Sequence, residues 1–325
     1  MSIAVGLGLM EFPFADARGY WRFVDMCEAG GVDSLWQTDR LVSRQPILEC
    51  MTAIAAVAGR TRRLKFGMNV VSLGLRDPVL VAKQCATIDV LSQGRLLPAF
   101  GVGSPLAPEW AALNLDTATR GRRTDEGLEI IRRLWAEDSV DFEGKHFRLT
   151  GASISPKPVQ PDLPMWIGGS SPAAVKRTAR LGTGWQAGPE TPAEAARMVQ
   201  AIRAAVVAAG RSIDDDHYGA GFPYYFGKPD DPPLQRAMDA YRQRTKRDPL
   251  GQFAVGDADA ILARIAEYVA AGVSKFVLRP AVAGDDAVLA QTRRLIGEVL
   301  PRVASRWPRT AKAAAQEADR RHGAS

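Results

Sequence analysis

The sequence predicts an α/β fold, a (β/α)8 (TIM) barrel with insertions, with its active site at the C-terminal ends of the strands. Three observations carry this. Short apolar runs alternate with segments of helical period, which means a parallel sheet covered by helices. Runs such as Met165-Trp166-Ile167 and Phe276-Val277-Leu278 are continuously apolar, as strands buried on both faces are. Eight such units in 325 residues match the size of a closed barrel. An open doubly wound sheet is the alternative, but its dinucleotide fingerprint is missing. Gly101-Val102-Gly103 is followed by Ser104-Pro105-Leu106, without a third glycine, and Pro105 and Pro108 oppose a helix there.

Taken in order, Ile3–Leu9 is the first predicted strand. Tyr20, Phe23, Val24 and Cys27 then fall on one face of a helix that Gly30-Gly31 ends. Ser34–Thr38 is the next strand and Ile47–Ala58 the next helix. Lys65–Val71 is a strand, and Pro78 opens a helix with Val81, Cys85 and Ile88 on one face. Leu96–Val102 is a strand, and Leu128, Ile131 and Trp135 mark a helix. Val140–Leu149 alternates around Gly144, the pattern of a hairpin. Met165–Ile167, Trp185–Ala187, Tyr218–Phe226 and Phe276–Leu278 are the remaining strands. Pro172–Leu181, Pro192–Ala209, a segment marked by Ile261, Ile265, Tyr268 and Val269, and Val288–Leu300 are the remaining helices. Residues 227–253 are Pro- and Asp-rich, then basic, and are expected to be irregular. So long a loop is a candidate lid. The expected organisation is one barrel domain over 1–303, insertions near 138–163 and 227–253, and a basic tail over 304–325.

Composition excludes several classes. No apolar stretch of about 18 residues is present, so no membrane span is expected. Met1–Met10 has neither a basic residue before it nor a cleavage site after it. It is read as a strand and the protein as cytoplasmic. The net charge is +6, but residues 301–325 carry six basic side chains and two acids, hence +4 of it. The rest offers no footprint for nucleic acid. Cys27, Cys50 and Cys85 lie far apart in helical segments and are expected to be buried thiols in a reducing compartment. His146, His217 and His322 are the only histidines, and no metal site is expected. His217 precedes a strand and should stand at the N-terminal end of the barrel.

Function in such a barrel belongs where strands end. Gly168-Gly169-Ser170-Ser171-Pro172 is the most physical signal. Two glycines allow close backbone approach, Ser171 can cap the helix, and Pro172 suits its first position. The free amides and dipole of that helix start suit a phosphate, although simple capping is the plain alternative. Asp39 and Arg40, ending strand two, are the catalytic candidates. As a charged pair they would hold a polar substrate or a cofactor ring, or else brace the loop. Asn69-Val70 and Gly103-Ser104 end strands three and four. A phosphate cradle without acid–base or metal apparatus suits an enzyme whose cofactor supplies the chemistry.

At this point the residues show a family. The chain resembles the luciferase-like monooxygenases, the superfamily that also holds deazaflavin (F420)-dependent oxidoreductases, over about residues 3–300. The matching stretches include Asp33-Ser34-Leu35-Trp36-Gln37-Thr38-Asp39, Leu75-Arg76-Asp77-Pro78, Thr87-Ile88-Asp89-Val90-Leu91-Ser92-Gln93-Gly94-Arg95, Pro156-Lys157-Pro158 and Trp166-Ile167-Gly168-Gly169-Ser170-Ser171-Pro172. The resemblance implies a flavin-type cofactor at the C-terminal mouth and a non-prolyl cis peptide at Asn69–Val70. It places the phosphate at Gly169, Ser170 and Ser171, with Gly168, Gly103 and Ser104 beside the cofactor. It also implies a homodimer, a small-molecule substrate and a separate flavin reductase. Arg40 stands where deazaflavin enzymes keep histidine. Pro105 and Leu106 stand where some carry glutamate, and Glu190 and Thr191 where sugar-phosphate dehydrogenases carry lysine. The expectation is therefore a monooxygenase using reduced FMN and oxygen. The alternatives are a deazaflavin-dependent dehydrogenase or reductase and a flavin-binding barrel without turnover.

Overall fold

The computed structural model describes residues 3–308. Its strands are β1 (Ala4–Leu9), β2 (Ser34–Gln37), β3 (Lys65–Met68), β4 (Val71–Ser72), β5 (Leu96–Leu97), β6 (Ala99–Gly101), β7 (Val140–Glu143), β8 (Arg148–Ala152), β9 (Trp166–Gly168), β10 (Gly184–Gln186), β11 (Tyr218–Ala220), β12 (Pro223–Phe226), β13 (Ala254–Gly256) and β14 (Lys275–Pro280). Its helices are α1 (Ala17–Ala29), α2 (Cys50–Arg60), α3 (Pro78–Ser92), α4 (Glu109–Ala112), α5 (Arg120–Ala136), α6 (Pro172–Leu181), α7 (Pro192–Ala208), α8 (Pro232–Thr245), α9 (Ala258–Ala270), α10 (Asp285–Arg294) and α11 (Leu300–Arg306).

The sheet is parallel and curled. Its neighbours run β4-β6-β9-β10-β11-β14-β1-β2-β3-β5, and β12 pairs with β13 and β14. The register places Leu7 beside both Leu278 and Leu35, and Trp185 beside Ile167. Parallel pairing needs a crossover between neighbours, which the helices supply. One sheet face packs against them through residues such as Phe23, Ile54, Val81, Leu128 and Ile265. The opposite face holds a small interior cluster of Trp36, Leu97, Ala99, Trp166 and Val277, with Val70 against it. Trp36 and Trp166 meet edge to face at 6.4 Å, and Trp36 Nε1 donates to Ser34 Oγ at 2.9 Å. β7 and β8 form the expected antiparallel hairpin, outside this sheet.

Several sequence expectations need correction. The run Lys65–Val71 is two strands, broken at Asn69–Val70, whose peptide is cis. Leu96–Val102 is also two, since Pro98 has no N–H for the ladder. Tyr218–Phe226 breaks at Gly221-Phe222. The segment 227–253 is not irregular: it contains the fourteen-residue helix α8 and leads into β13. The last helical stretch runs to Arg306, past its expected end at Leu300, and Val303 is buried. Leu295–Val299 forms a π turn just before Pro301, which cannot donate an ordinary helical bond. Most of the basic tail, residues 309–325, lies outside the described residues. No helix among those described is long and apolar enough to cross a membrane.

Candidate active site

Because the strands are parallel, the segments following β2, β4, β6 and β9 reach the same end of the sheet. Asp39 is buried there and is fully engaged. It accepts from Arg76 Nη2 at 2.7 Å, from the Ser72 amide at 2.9 Å and from the Cys50 thiol at 3.4 Å. Arg76 Nη2 also reaches Glu49 Oε1 at 2.8 Å, while Glu49 caps α2 through the amides of Met51 and Thr52. Asp39, Glu49 and Cys50 lie close enough to share a metal ion, but the Arg76 cation already stands between the two carboxylates. Burial, and next the Asp39 charge, push the Cys50 thiol well above its ordinary pKa, which suits it poorly as a nucleophile.

Asp39 and Arg40 do not pair with one another, contrary to the sequence reading. Arg40 turns instead to Glu109, its Nη1 lying 3.4 Å from both carboxylate oxygens, and the Leu41 amide donates to Glu109 Oε1 at 3.3 Å. The Glu109 side chain is buried, while Arg40 remains 41% exposed. Sequence reasoning missed Glu109. It lies four residues beyond the Pro105 position where a glutamate was sought, on a short helix with no motif of its own.

The glycine turn is built as expected. Ser171 Oγ accepts from the Ala174 amide at 3.2 Å and Pro172 opens α6. Gly169 has φ +107°, a conformation that excludes ordinary side chains, and Gly169, Ser170 and Ser171 are exposed. Of the first helical residues Pro172 has no N–H, and the Ala173 amide has no acceptor within the helix. A helix start of this kind can receive an anion. Val70 joins it to the rest of the mouth. A Cβ at Gly168 would lie 3.0 Å from both Val70 methyls, and one at Gly101 only 2.6 Å from Val70 Cγ2. Asn69, Val70, Gly168, Gly169, Ser170 and Ser171 are thus brought together. Gly103 (φ +74°) and Ser104 lie alongside: a Cβ on Gly103 would be 3.1 Å from Ser72 Oγ, and Ser104 O accepts from Trp110 Nε1 at 2.9 Å.

The insertion over 227–253 is pinned to this end of the sheet. Leu234, Met238 and Tyr241 of α8 pack with Tyr225, Phe253 and Ala281 in a second apolar cluster. Tyr225 Oη donates to Asp231 Oδ2 at 3.1 Å, and Gln252 Nε2 donates to Pro189 O at 2.9 Å. At the opposite end, His217 stands before β11 as expected, with Nδ1 2.8 Å from Thr183 O. Cys27, Cys50 and Cys85 are buried free thiols.

The luciferase-like monooxygenase family profile matches residues 4–250, and the chain belongs to that family. An uncharacterised protein of Mycobacterium tuberculosis is 34% identical over 169 residues, 52% of this chain and 57% of the relative. The F420-dependent glucose-6-phosphate dehydrogenase of Amycolatopsis mediterranei is 30% identical over 201 residues, 58% of this chain and 59% of the relative. The chain thus spans less than two thirds of the curated relatives it matches. Among solved structures, the monooxygenase RslO1 from Streptomyces bottropensis superposes with a TM-score of 0.80 at 22% identity, over 92% of this chain and 99% of that one. The similarity shows a shared fold. Members of the family are oxidoreductases; one relative is named as F420-dependent, and a type II Baeyer-Villiger monooxygenase of the same fold (TM-score 0.72, 17% identity) was solved in complex with FMN.

Proposed function

We propose that the chain is a flavin-dependent monooxygenase that uses reduced FMN and oxygen on a small organic substrate. The observation that carries the reading is the close approach of Val70, at the break between β3 and β4, to Gly168, which leaves no room there for a side chain and precedes the exposed turn before α6. One surface there could back a flat ring while the adjoining turn holds its phosphate. In this reading β3/β4, β5/β6 and β11/β12 are each two halves of one stave, so that the sheet closes as a (β/α)8 barrel around the interior tryptophans.

The residues fit such a group. The amides at the start of α6 and Ser170 would hold the phosphate, with Gly169 allowing its close approach. Val70 would support the ring. Asp39 would act through the Ser72 amide, fixing the end of the broken strand. Reduced FMN bound there supplies the electrons that activate oxygen, and a deazaflavin would supply or accept hydride. The 227–253 insertion would exclude water above the ring. Arg40, engaged with Glu109 in an ion pair, stands where the resemblance puts the histidine of deazaflavin enzymes. That departure favours FMN. The second reading, a deazaflavin-dependent dehydrogenase or reductase, is favoured by the 30% identity to an enzyme named for F420. A separate flavin reductase belongs to the first reading, and a homodimeric assembly suits either.

The test is consumption of reduced FMN and oxygen with a panel of small organic substrates. Substrate-dependent acceleration by the protein is the expected result. Acceleration only with the deazaflavin supports the second reading, and none with either cofactor points to a barrel that binds without turnover.

A further inference from the structure

Arg279 lies near the C-terminal end of β14, on the same strand face as Val277. Val277 belongs to the interior cluster with Trp36 and Trp166, so Arg279 stands one layer above that floor, toward the mouth. Glycines make room for it. A Cβ at Gly221 would come within 3.2 Å of Arg279 Nη1, and one at Gly8 within 3.6 Å of its Cγ. The backbone of Arg279 is fixed by a 3.1 Å bond from its amide to Phe222 O.

Its guanidinium is not fixed in the same way. Nε is shut off from solvent without an acceptor, and no carboxylate pairs with the group among the described residues. The exposed Arg244, on which the Glu11 carboxylate also acts, and the Tyr241 and Tyr268 side chains lie near enough to influence it, the Tyr268 hydroxyl already donating to Glu190 O. Tyr241 Oη is itself buried without a partner, and Arg244 lies over the Tyr241 ring at 5.8 Å. Burial, and next the Arg244 charge, push Arg279 down to about 10, which leaves it cationic at neutral pH. Arg279 as a whole is partly buried, but its shielded Nε has no acceptor and no carboxylate among the described residues balances its charge. A bound ligand would supply that charge, and the planar fork of a guanidinium matches carboxylate, phosphate or sulfonate oxygens.

We propose that Arg279, with Arg244 and the Tyr241 hydroxyl, forms a subsite that receives an anionic group of the substrate, a carboxylate, phosphate or sulfonate. The assignment rests on reading the mouth as an oxidoreductase site. The cradle proposed for the cofactor phosphate follows β9, which is three pairings away from β14 in the sheet, so the two anion positions are distinct. Arg244 and Tyr241 both come from α8, so the insertion would contribute to substrate selection as well as covering the site.

The test is calorimetric titration with sulfate at an ionic strength held constant with chloride. Ser170→Asp provides a background in which the glycine turn no longer takes anions. That variant is expected to bind one sulfate saturably. Adding Arg279→Met should weaken binding at least tenfold and leave the melting temperature unchanged or higher, because an unpaired charge has gone. Equal binding by both, or binding by neither, overturns the subsite. Saturating FMN should leave this sulfate in place on the wild-type protein. Displacement would assign the arginines to the cofactor and overturn the substrate assignment. Arg279-dependent sulfate binding in a chain that takes neither FMN nor the deazaflavin would keep the subsite and remove the oxidoreductase reading alone.

Discussion

At Asp39 a carboxylate that looks catalytic in the sequence is held by three neighbours. Its oxygens are taken by Arg76, the Ser72 amide and the Cys50 thiol. Asp39→Asn keeps the shape but removes the charge opposite Arg76. Breaking one partner out of a buried pair typically costs about 3–5 kcal/mol. The expected outcome is a denaturant midpoint lowered accordingly, with weaker cofactor binding as a consequence of the loosened strand end. An unchanged midpoint would show that the pair contributes nothing net. The residue types at this mouth were legible in the sequence, but their partners were not. Arg76 lies 37 positions from Asp39, and Glu109 lies 69 from Arg40. Pairs so distant in sequence leave no periodic trace. The cradle was legible because capping is local: Ser171, Pro172 and the preceding glycines settle it within five residues.

At the scale of elements, α6 matched its expected bounds from Pro172 to Leu181, fixed by a cap at one end and Gly182 at the other. α8 escaped notice although its signal was present. Leu234, Met238 and Tyr241 fall at i, i+4 and i+7, but the prolines at 229, 232 and 233 and the acids among them gave the segment the composition of a loop. Pro232 is tolerated because it occupies the first turn, where its missing N–H is not needed. α8 is held mainly through that one apolar stripe. Leu234→Ala should therefore cost about 2–5 kcal/mol locally. Hydrogen exchange is expected to rise across 232–253 while the amides of β1, β9 and β14 keep their protection. A uniform rise over the whole chain would instead make the insertion part of the central cooperative unit. The broken strands were harder to foresee, because apolar runs continue through the interruptions. Only the cis peptide at Asn69–Val70 was anticipated, and that came from the family resemblance.

At the scale of the whole molecule, the two ends of the parallel sheet are put to different uses. The N-terminal end carries a buried ion pair, with Lys275 Nζ 2.9 Å from Asp33 Oδ2 and Lys65 Nζ 3.5 Å from Oδ1. Burial alone would raise the Asp33 carboxyl. The Lys275 and Lys65 charges and the hydrogen bond from Lys275 outweigh it and hold the group well below the usual carboxylate range. A depressed carboxylate pKa adds stability above the unfolded value of about 3.9, and this stability drains away as pH falls from there toward the folded value. Asp33→Asn should therefore lower the melting temperature at pH 7 and flatten the acid limb of a stability–pH curve below about pH 4. An acid limb as steep as in the wild-type protein would place the linkage elsewhere.

The C-terminal end holds the proposed site, and the central claim concerns what binds there. Anaerobic titration of the wild-type protein and Ser170→Asp with reduced FMN, and separately with the deazaflavin, tests it most directly. The expected result is saturable binding of reduced FMN, one per chain, weakened more than about tenfold by the carboxylate placed against the phosphate. Saturable binding of the deazaflavin with none of reduced FMN would contradict the monooxygenase assignment. Binding unchanged by Ser170→Asp would move the phosphate away from the cradle between β9 and α6.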